Sequence, residues 1–310
     1  MLELKNLTKK YGDFTVVNNI SLTVEDGEVF GLLGPNGAGK STMVSMISTV
    51  LSPTSGTIKV DHKFLQENPV EIKKIMGVVP QDLALFETLT AKDNLIFFGS
   101  LYGLSGKRLK RRADEVLEMI ELTEKKNQAV AEFSGGMKRR VNIGVALMNN
   151  PKLLILDEPT VGIDPQSRNH ILQTVKKLNK EEGMTVIYTS HYMEEVEYLC
   201  EKVAIVDHGS LIALGTKEEL KNNVNACDTL TVIYQKASQE ALEQISSIAG
   251  VHQTTIDQNQ IAMLVSAKER NIIDIVDDIK NLGIALTSFK YEEVNLESIF
   301  LQITGKSLRE

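Results

Sequence analysis

The order of apolar and polar positions divides the chain into two regimes. In the first, short runs that are apolar almost throughout alternate with segments of helical period. Residues 28–33, 76–79, 153–156, 185–189 and 203–207 read as strands. Their central members are continuously hydrophobic rather than alternating, as a sheet covered on both faces requires. A Gly-rich turn follows the first strand and opens a helix over about 40–48. Between Gln81 and Pro159 the character changes: 92–101, 108–122 and 136–148 read as helices, a helical insertion in an α/β frame. Asp164-Pro165 is a helix start, with Asp as cap and Pro in the first turn.

Near 221–226 the pattern breaks into a polar, Asn-rich stretch, read as a linker. A fresh order follows. Leu230, Val232 and Tyr234 alternate as a strand; Leu242, Ile245, Ile248 and Ala249 mark a helix face. Residues 251–257 and 261–265 read as strands joined by a turn, Ile272, Ile275, Val276 and Ile279 mark a second helix face, and 284–289 a last strand. This βαββαβ order predicts a small α+β, ferredoxin-like domain. Leu296, Ile299, Phe300 and Ile303 then share one face of a final helix, which must be buried on its own domain or on a partner. The expected domains are 1–221, with its helical part at about 81–160, and 227–310.

Composition narrows the classes. Among 310 residues the formal net charge is -7, which argues against the basic face of a nucleic-acid binder. Cys200 and Cys227 have no metal-ligand spacing, and so few cysteines suit a reducing cytosol better than a disulfide framework. Residues 1–5 alternate like a strand and are no signal peptide. No apolar run reaches the ~20 residues that span a bilayer. The chain is therefore expected to be soluble by itself, with any membrane role supplied by a separate partner.

Candidate chemistry lies at two strand ends. Gly34-Pro35-Asn36-Gly37-Ala38-Gly39-Lys40-Ser41 fits the pattern G-x-x-x-x-G-K-[ST], after a strand and at a helix start. The glycines let backbone N–H groups surround phosphate oxygens, and the helix N-terminus adds positive potential. Lys40 would reach the β- and γ-phosphates and Ser41 would ligate Mg²⁺. A dinucleotide fold is a poor rival, because the glycine spacing is wrong for G-x-G-x-x-G and leaves Lys40 without a role. The apolar run 153–156 ends in Asp157 and Glu158, at the sheet edge where ligands sit in α/β folds. Asp157 can hold Mg²⁺, and Glu158 can polarise an attacking water.

Ser134-Gly135-Gly136-Met137-Lys138, shortly before that strand, resembles the L-S-G-G-Q signature of ATP-binding cassette (ABC) proteins. Phe133 and Met137 depart from the pattern; in the family the Ser hydroxyl and Gly amides make the γ-phosphate contact, so Ser134 and Gly136 should suffice. Tyr11 matches the aromatic that stacks on adenine, and Gln81 the glutamine that links the two lobes. Gly162-Ile163-Asp164 matches the loop that crosses to the partner site, and His191 the switch histidine. The resemblance covers 1 to about 221. The run 295–301 with Thr304-Gly305 also resembles the tail of ATPases from antibiotic-resistance and nodulation-type exporters.

The resemblance implies a P-loop ABC cassette that binds and hydrolyses ATP with Mg²⁺. Tyr11, the loop from Gly34 to Thr42, Ser134, Gly135, Gly136 and Asp164 would contact nucleotide. Ser41, Gln81 and Asp157 would hold the metal, and Glu158, His191 and Gln81 would carry the reaction. Because the signature of one cassette completes the site of another, a second cassette is expected, most simply as a homodimer closed head-to-tail. The other implied partner is an integral-membrane permease whose cytoplasmic helix rests on 82–89, placing the chain on the cytoplasmic face of the membrane; no nucleic acid is expected. The tail would stabilise the dimer. A soluble mechanochemical cassette is the alternative, but such relatives tend to carry two cassettes or a long coiled coil.

Overall fold

The computed structural model describes residues 1–223, 227–266 and 269–304. The chain forms two compact units, Met1–Lys217 and Glu218–Ile303. The centre of the first is a six-stranded sheet in the order Ser210–Thr216, Lys202–Asp207, Val29–Leu33, Thr185–Ser190, Leu153–Asp157, Met76–Val79. All but Ser210–Thr216 run parallel to their neighbours. Every residue of Val29–Leu33, Leu153–Asp157 and Thr185–Ser190 is buried, which is why their sequences are apolar without alternation. Parallel pairing also sends the C-terminal ends of these strands to one edge. Leu33 pairs with Ser190, and Asp157 with Thr189, so the loop after Leu33 and the residues after Asp157 and Ser190 start side by side.

A second, antiparallel sheet follows the order Phe14–Val24, Leu2–Tyr11, Ser55–Val60, Lys63–Phe64. Its inner residues Leu4, Leu7, Ile20 and Ile58 share one core with Met43, Met46 and Ile47 of helix Lys40–Ile47 and with Phe30, Leu32 and Ile155 of the parallel sheet. Burying each such side chain contributes about 1.5–3 kcal/mol. The helix that begins at Lys40 is thus fixed by apolar packing, and its polar N-terminus is free to serve a ligand.

The insertion contains helices Ala91–Leu101, Gly106–Met119 and Gly135–Leu147. Thr90 caps the first by accepting from the Asp93 N–H at 3.0 Å. The run Lys138-Arg139-Arg140 reads from sequence as a solvated helix face, and the structure corrects this. Arg139 is only 4% exposed and donates to the carbonyls of Pro80, at 2.8 Å, and Gln81, at 2.6 Å. Arg140 is half-buried and donates to Ile120 O at 3.1 Å. These guanidiniums occupy helix positions that face backbone rather than water, and charge alone does not reveal that.

The second unit is a four-stranded antiparallel sheet in the order Val251–Asp257, Gln260–Val265, Asp228–Lys236, Ala285–Glu292. Helices Gln239–Gln244 and Ile272–Asn281 supply Ala241, Ile275, Val276 and Ile279 to a core with Leu230, Val232, Ile261 and Met263. This is the ferredoxin-like arrangement expected from the order of elements. The first helix is shorter than its apolar spacing predicts: it ends at Gln244, a 3₁₀ turn spans Ile245–Ser247, and Ile248 and Ala249 lie beyond both. Buried Asp228 ties the sheet's first strand to its last, accepting from Tyr291 Oη and the Val294 N–H at 2.9 Å each and pairing with Lys221. The expected linker is partly helical, since Lys217–Asn223 forms a helix; 224–226 lie outside the described residues. Leu296, Ile299 and Phe300 of helix Leu296–Thr304 are buried, whereas the Ile303 side chain lies outside the described residues. Among the described residues, no helix is long and apolar enough to cross a membrane.

Candidate nucleotide site

The glycine loop is shaped by what surrounds it. A Cβ at Gly34 would stand 2.3 Å from Val206 O, so no other residue fits. Gly39 has φ 103°, a left-handed conformation, and caps helix Lys40–Ile47. The loop therefore doubles back into the helix and presents its backbone at the helix N-terminus, where anions are favoured.

Lys40 is buried on the same edge. Its Nζ donates to Gly34 O at 2.8 Å and Pro35 O at 3.1 Å and lies 3.4 Å from Glu158 Oε1. Burial pushes its pKa down, opposed by Glu158 and Asp157. Asp157 shifts up because burial outweighs the hydrogen bonds from Thr189 and Ser41. Thr189 Oγ1 donates to Asp157 Oδ1 at 2.7 Å, and Ser41 Oγ stands 3.5 Å from the same oxygen. A buried carboxylate whose charge is under-compensated, beside a hydroxyl, is a hard oxygen pair that suits Mg²⁺. The residues present fit that ion.

Glu158 follows at φ 46°, uncommon for a residue with a side chain and typical of constrained functional positions. Its N–H donates to Thr189 Oγ1 at 2.8 Å. Its carboxylate lies between Lys40 and His191, whose Nδ1 is 3.4 Å from Glu158 Oε2. That nitrogen is buried without a hydrogen bond, so the imidazole lies beside the carboxylate but is misaligned for donation. One edge thus gathers a cation, two carboxylates, a hydroxyl and an imidazole. Thr189, which joins both carboxylates, is a residue the sequence reading missed; its importance comes from strand register.

The other expected residues lie elsewhere. Tyr11 ends its strand half-exposed, with Lys9 Nζ 5.2 Å from the ring centroid. Gln81 is exposed and its carbonyl is held by Arg139. Ser134 caps helix Gly135–Leu147, accepting from the Met137 N–H at 3.3 Å. A Cβ at Gly136 would come 2.2 Å from Ser167 Cβ, so this helix start abuts helix Pro165–Glu182. Asp164 caps that second helix through the Ser167 N–H at 3.0 Å. Ser134 and Gly136 therefore make their contacts away from Lys40.

A glycine loop between a parallel strand and a helix, its lysine set against the acids of a strand in the same sheet, defines a P-loop nucleoside triphosphatase. The sequence matches the family described as ABC transporter over residues 17–161. It is 48% identical over 312 residues to the linearmycin resistance ATP-binding protein LnrL of Bacillus subtilis (strain 168), covering 100% of both chains. It is 34% identical to the Nod factor export ATP-binding protein I of Cupriavidus metallidurans, over 100% of this chain and 99% of that one. To the daunorubicin resistance ATP-binding protein DrrA3 of Streptomyces coeruleorubidus it is 34% identical, over 97% and 95%. Among solved structures, the dimeric post-hydrolysis cassette MJ0796 bound to ADP and Pi matches 70% of this chain and 98% of its own, with TM-score 0.63 and 31% identity. The chain belongs to the ABC transporter family and is an ATP-binding, ATP-hydrolysing subunit.

Proposed function

We propose that this ATPase powers export of a drug, antibiotic, lipid or similar compound through a separate integral-membrane permease, from the cytoplasmic face of the membrane. The observation that carries the reading is the division of the site. Lys40, Ser41, Asp157, Glu158 and His191 stand together, while Ser134 and Gly136 stand at another helix start with contacts to Met137 and Ser167. A chain that holds both halves apart completes them by pairing head-to-tail with a second cassette, most simply its own copy. The names of the resistance and Nod factor export relatives support the export role.

In the paired state Tyr11 stacks on adenine, and the loop from Gly34 to Thr42 cradles the phosphates. An incoming γ-phosphate displaces Gly34 O and Pro35 O from Lys40. Glu158, buried against Lys40, takes the proton of the attacking water, and His191 holds the γ-phosphate from the other side. Ser134, with the amides of Gly135 and Gly136 from the partner, offsets the charge that develops there. Asp164 lies at the same interface. Ser41, Asp157 and Gln81 would hold Mg²⁺, which neutralises phosphate charge when bound. Loss of phosphate removes the bridge between cassettes, and the opening is the motion a permease converts to transport. The tail unit stabilises the pair.

Affinity purification of the full chain from detergent-solubilised membranes tests the coupling. An integral-membrane protein should co-purify in fixed ratio, and its reconstitution should stimulate ATP turnover. A chain recovered active and without any membrane partner would favour the soluble mechanochemical alternative.

A further inference from the structure

Behind His191 lies a buried carboxylate that the chemistry above does not use. Glu195 is 2% exposed. Its Oε2 accepts three hydroxyls, from Thr160 at 2.8 Å, Ser190 at 2.8 Å and Tyr188 at 2.9 Å. Thr160 lies two residues after Glu158, and Ser190 immediately precedes His191. Ser190 Oγ also accepts from the Tyr192 N–H at 2.9 Å, so His191 lies between two residues joined through the one hydroxyl that is fastened to this carboxylate.

The other oxygen faces a different element. Glu195 Oε1 is 3.4 Å from Arg168 Nε, and both atoms are buried without a hydrogen bond. They are within ion-pair distance and misaligned for donation. The Arg168 guanidinium lies 4.5 Å from the Tyr192 ring centroid, and the Tyr192 ring lies 4.2 Å from that of His191. Arg168 follows Ser167, the residue pressed against Gly136 at the start of the signature helix. Contacts therefore run without a break from Gly136 through Ser167 and Arg168 to Glu195, Tyr192 and His191.

We propose that Arg168 and Glu195 are positioning residues that set His191, and that they join the signature end of each chain to the His191 of that same chain. The inference rests on the head-to-tail pairing, in which the signature touches the partner's nucleotide. The relay then links one ATP site to the other. The three hydroxyls satisfy Oε2 alone and leave Oε1 buried without a hydrogen bond. The unaligned Arg168 contact leaves an interaction that a small shift of helix Pro165–Glu182 makes or breaks. A double-mutant cycle measures the coupling directly.

The test measures single-turnover and steady-state ATP hydrolysis for Arg168→Met and Glu195→Gln, each alone and in a His191→Ala background. Alone, each should lower kcat by about tenfold with KM changed less than about twofold, the pattern of an interaction felt after binding. In the His191→Ala background the further loss should stay under about twofold, because the residue through which they act is gone. Arg168→Lys, which keeps the charge and loses the flat stacking group, should fall between. Arg168→Met removes the cation beside buried Glu195, so Arg168→Lys, which keeps that charge, should melt like the parent and controls for folding should the other variants fail. Equal losses in both backgrounds, or an unchanged kcat, would overturn the relay. ATP-dependent dimerisation of the Glu158→Gln chain belongs to the pairing itself: if that persists while the cycle is additive, the relay alone is wrong.

Discussion

Asp157 and Thr189 stand opposite each other on neighbouring parallel strands, and one hydroxyl fastens both acids of the site. Thr189 Oγ1 donates to Asp157 Oδ1 at 2.7 Å while accepting from the Glu158 N–H at 2.8 Å. Thr189→Val keeps the shape and removes both bonds. A buried N–H left unpaired costs about 1–3 kcal/mol, and Glu158 loses the contact that holds its left-handed backbone. Thermal melting should show the destabilisation. Turnover should fall about tenfold, the equivalent of ~1.4 kcal/mol in the barrier. Full activity in this variant would mean that Glu158 is positioned by something else.

Asp157 carries a charge that folding disfavours. Its pKa is raised because burial outweighs the hydroxyls of Thr189 and Ser41. The native state therefore holds the proton more tightly than the unfolded chain. Stability from this group is full below the ordinary carboxylate pKa and is lost as pH rises through the raised one. Asp157→Asn removes the cost. Without nucleotide or Mg²⁺ its melting temperature should exceed that of the parent near neutrality, and the gap should close as pH falls through that window. Its Mg²⁺-dependent turnover should collapse. A variant less stable than the parent at pH 7 would contradict the assignment of burial as the dominant cause.

The sheet strands were legible because burial on both faces leaves continuous apolar runs such as Leu153–Leu156 and Val186-Ile187. The loop Gly34–Ser41 and the pair Asp157-Glu158 were legible because their chemistry is local in sequence. Strand register is not local, and so Thr189 went unread. The roles of Arg139, Arg168 and Glu195 were hidden for a related reason: a charged residue on a helix reads as solvated until the neighbour that buries it is known. In the second unit the order of elements was clear, while the early end of helix Gln239–Gln244 was not, because apolar spacing continues through the 3₁₀ turn that follows.

In the proposed reading, the segment after Gln81 is where the permease would dock. Phe86 is 45% exposed, and its ring lies 4.9 Å from Phe97 and 6.0 Å from Phe98. Its backbone is pinned at both ends by Asn94, which accepts from the Phe86 N–H at 2.9 Å and donates to its carbonyl at 3.0 Å. An exposed ring on a fixed backbone suits a docking contact better than a core role. In membranes with the permease, Phe86→Asp should reduce transport at least tenfold while ATPase activity of the free subunit stays within about twofold, since an exposed substitution away from the site disturbs stability little. Parallel loss of both activities would place Phe86 in the core instead.

In the proposed mechanism Glu158, held between Lys40 and His191, is the base for hydrolysis in a site shared by two chains. Glu158→Gln tests it most directly, with turnover and sedimentation measured on the same preparation. Loss of a general base should lower hydrolysis by about 10²–10⁴-fold. ATP binding should persist, and a dimer should accumulate with ATP and Mg²⁺ but not with ADP. Hydrolysis near the parent rate, or a chain that stays monomeric at saturating ATP, would contradict the account.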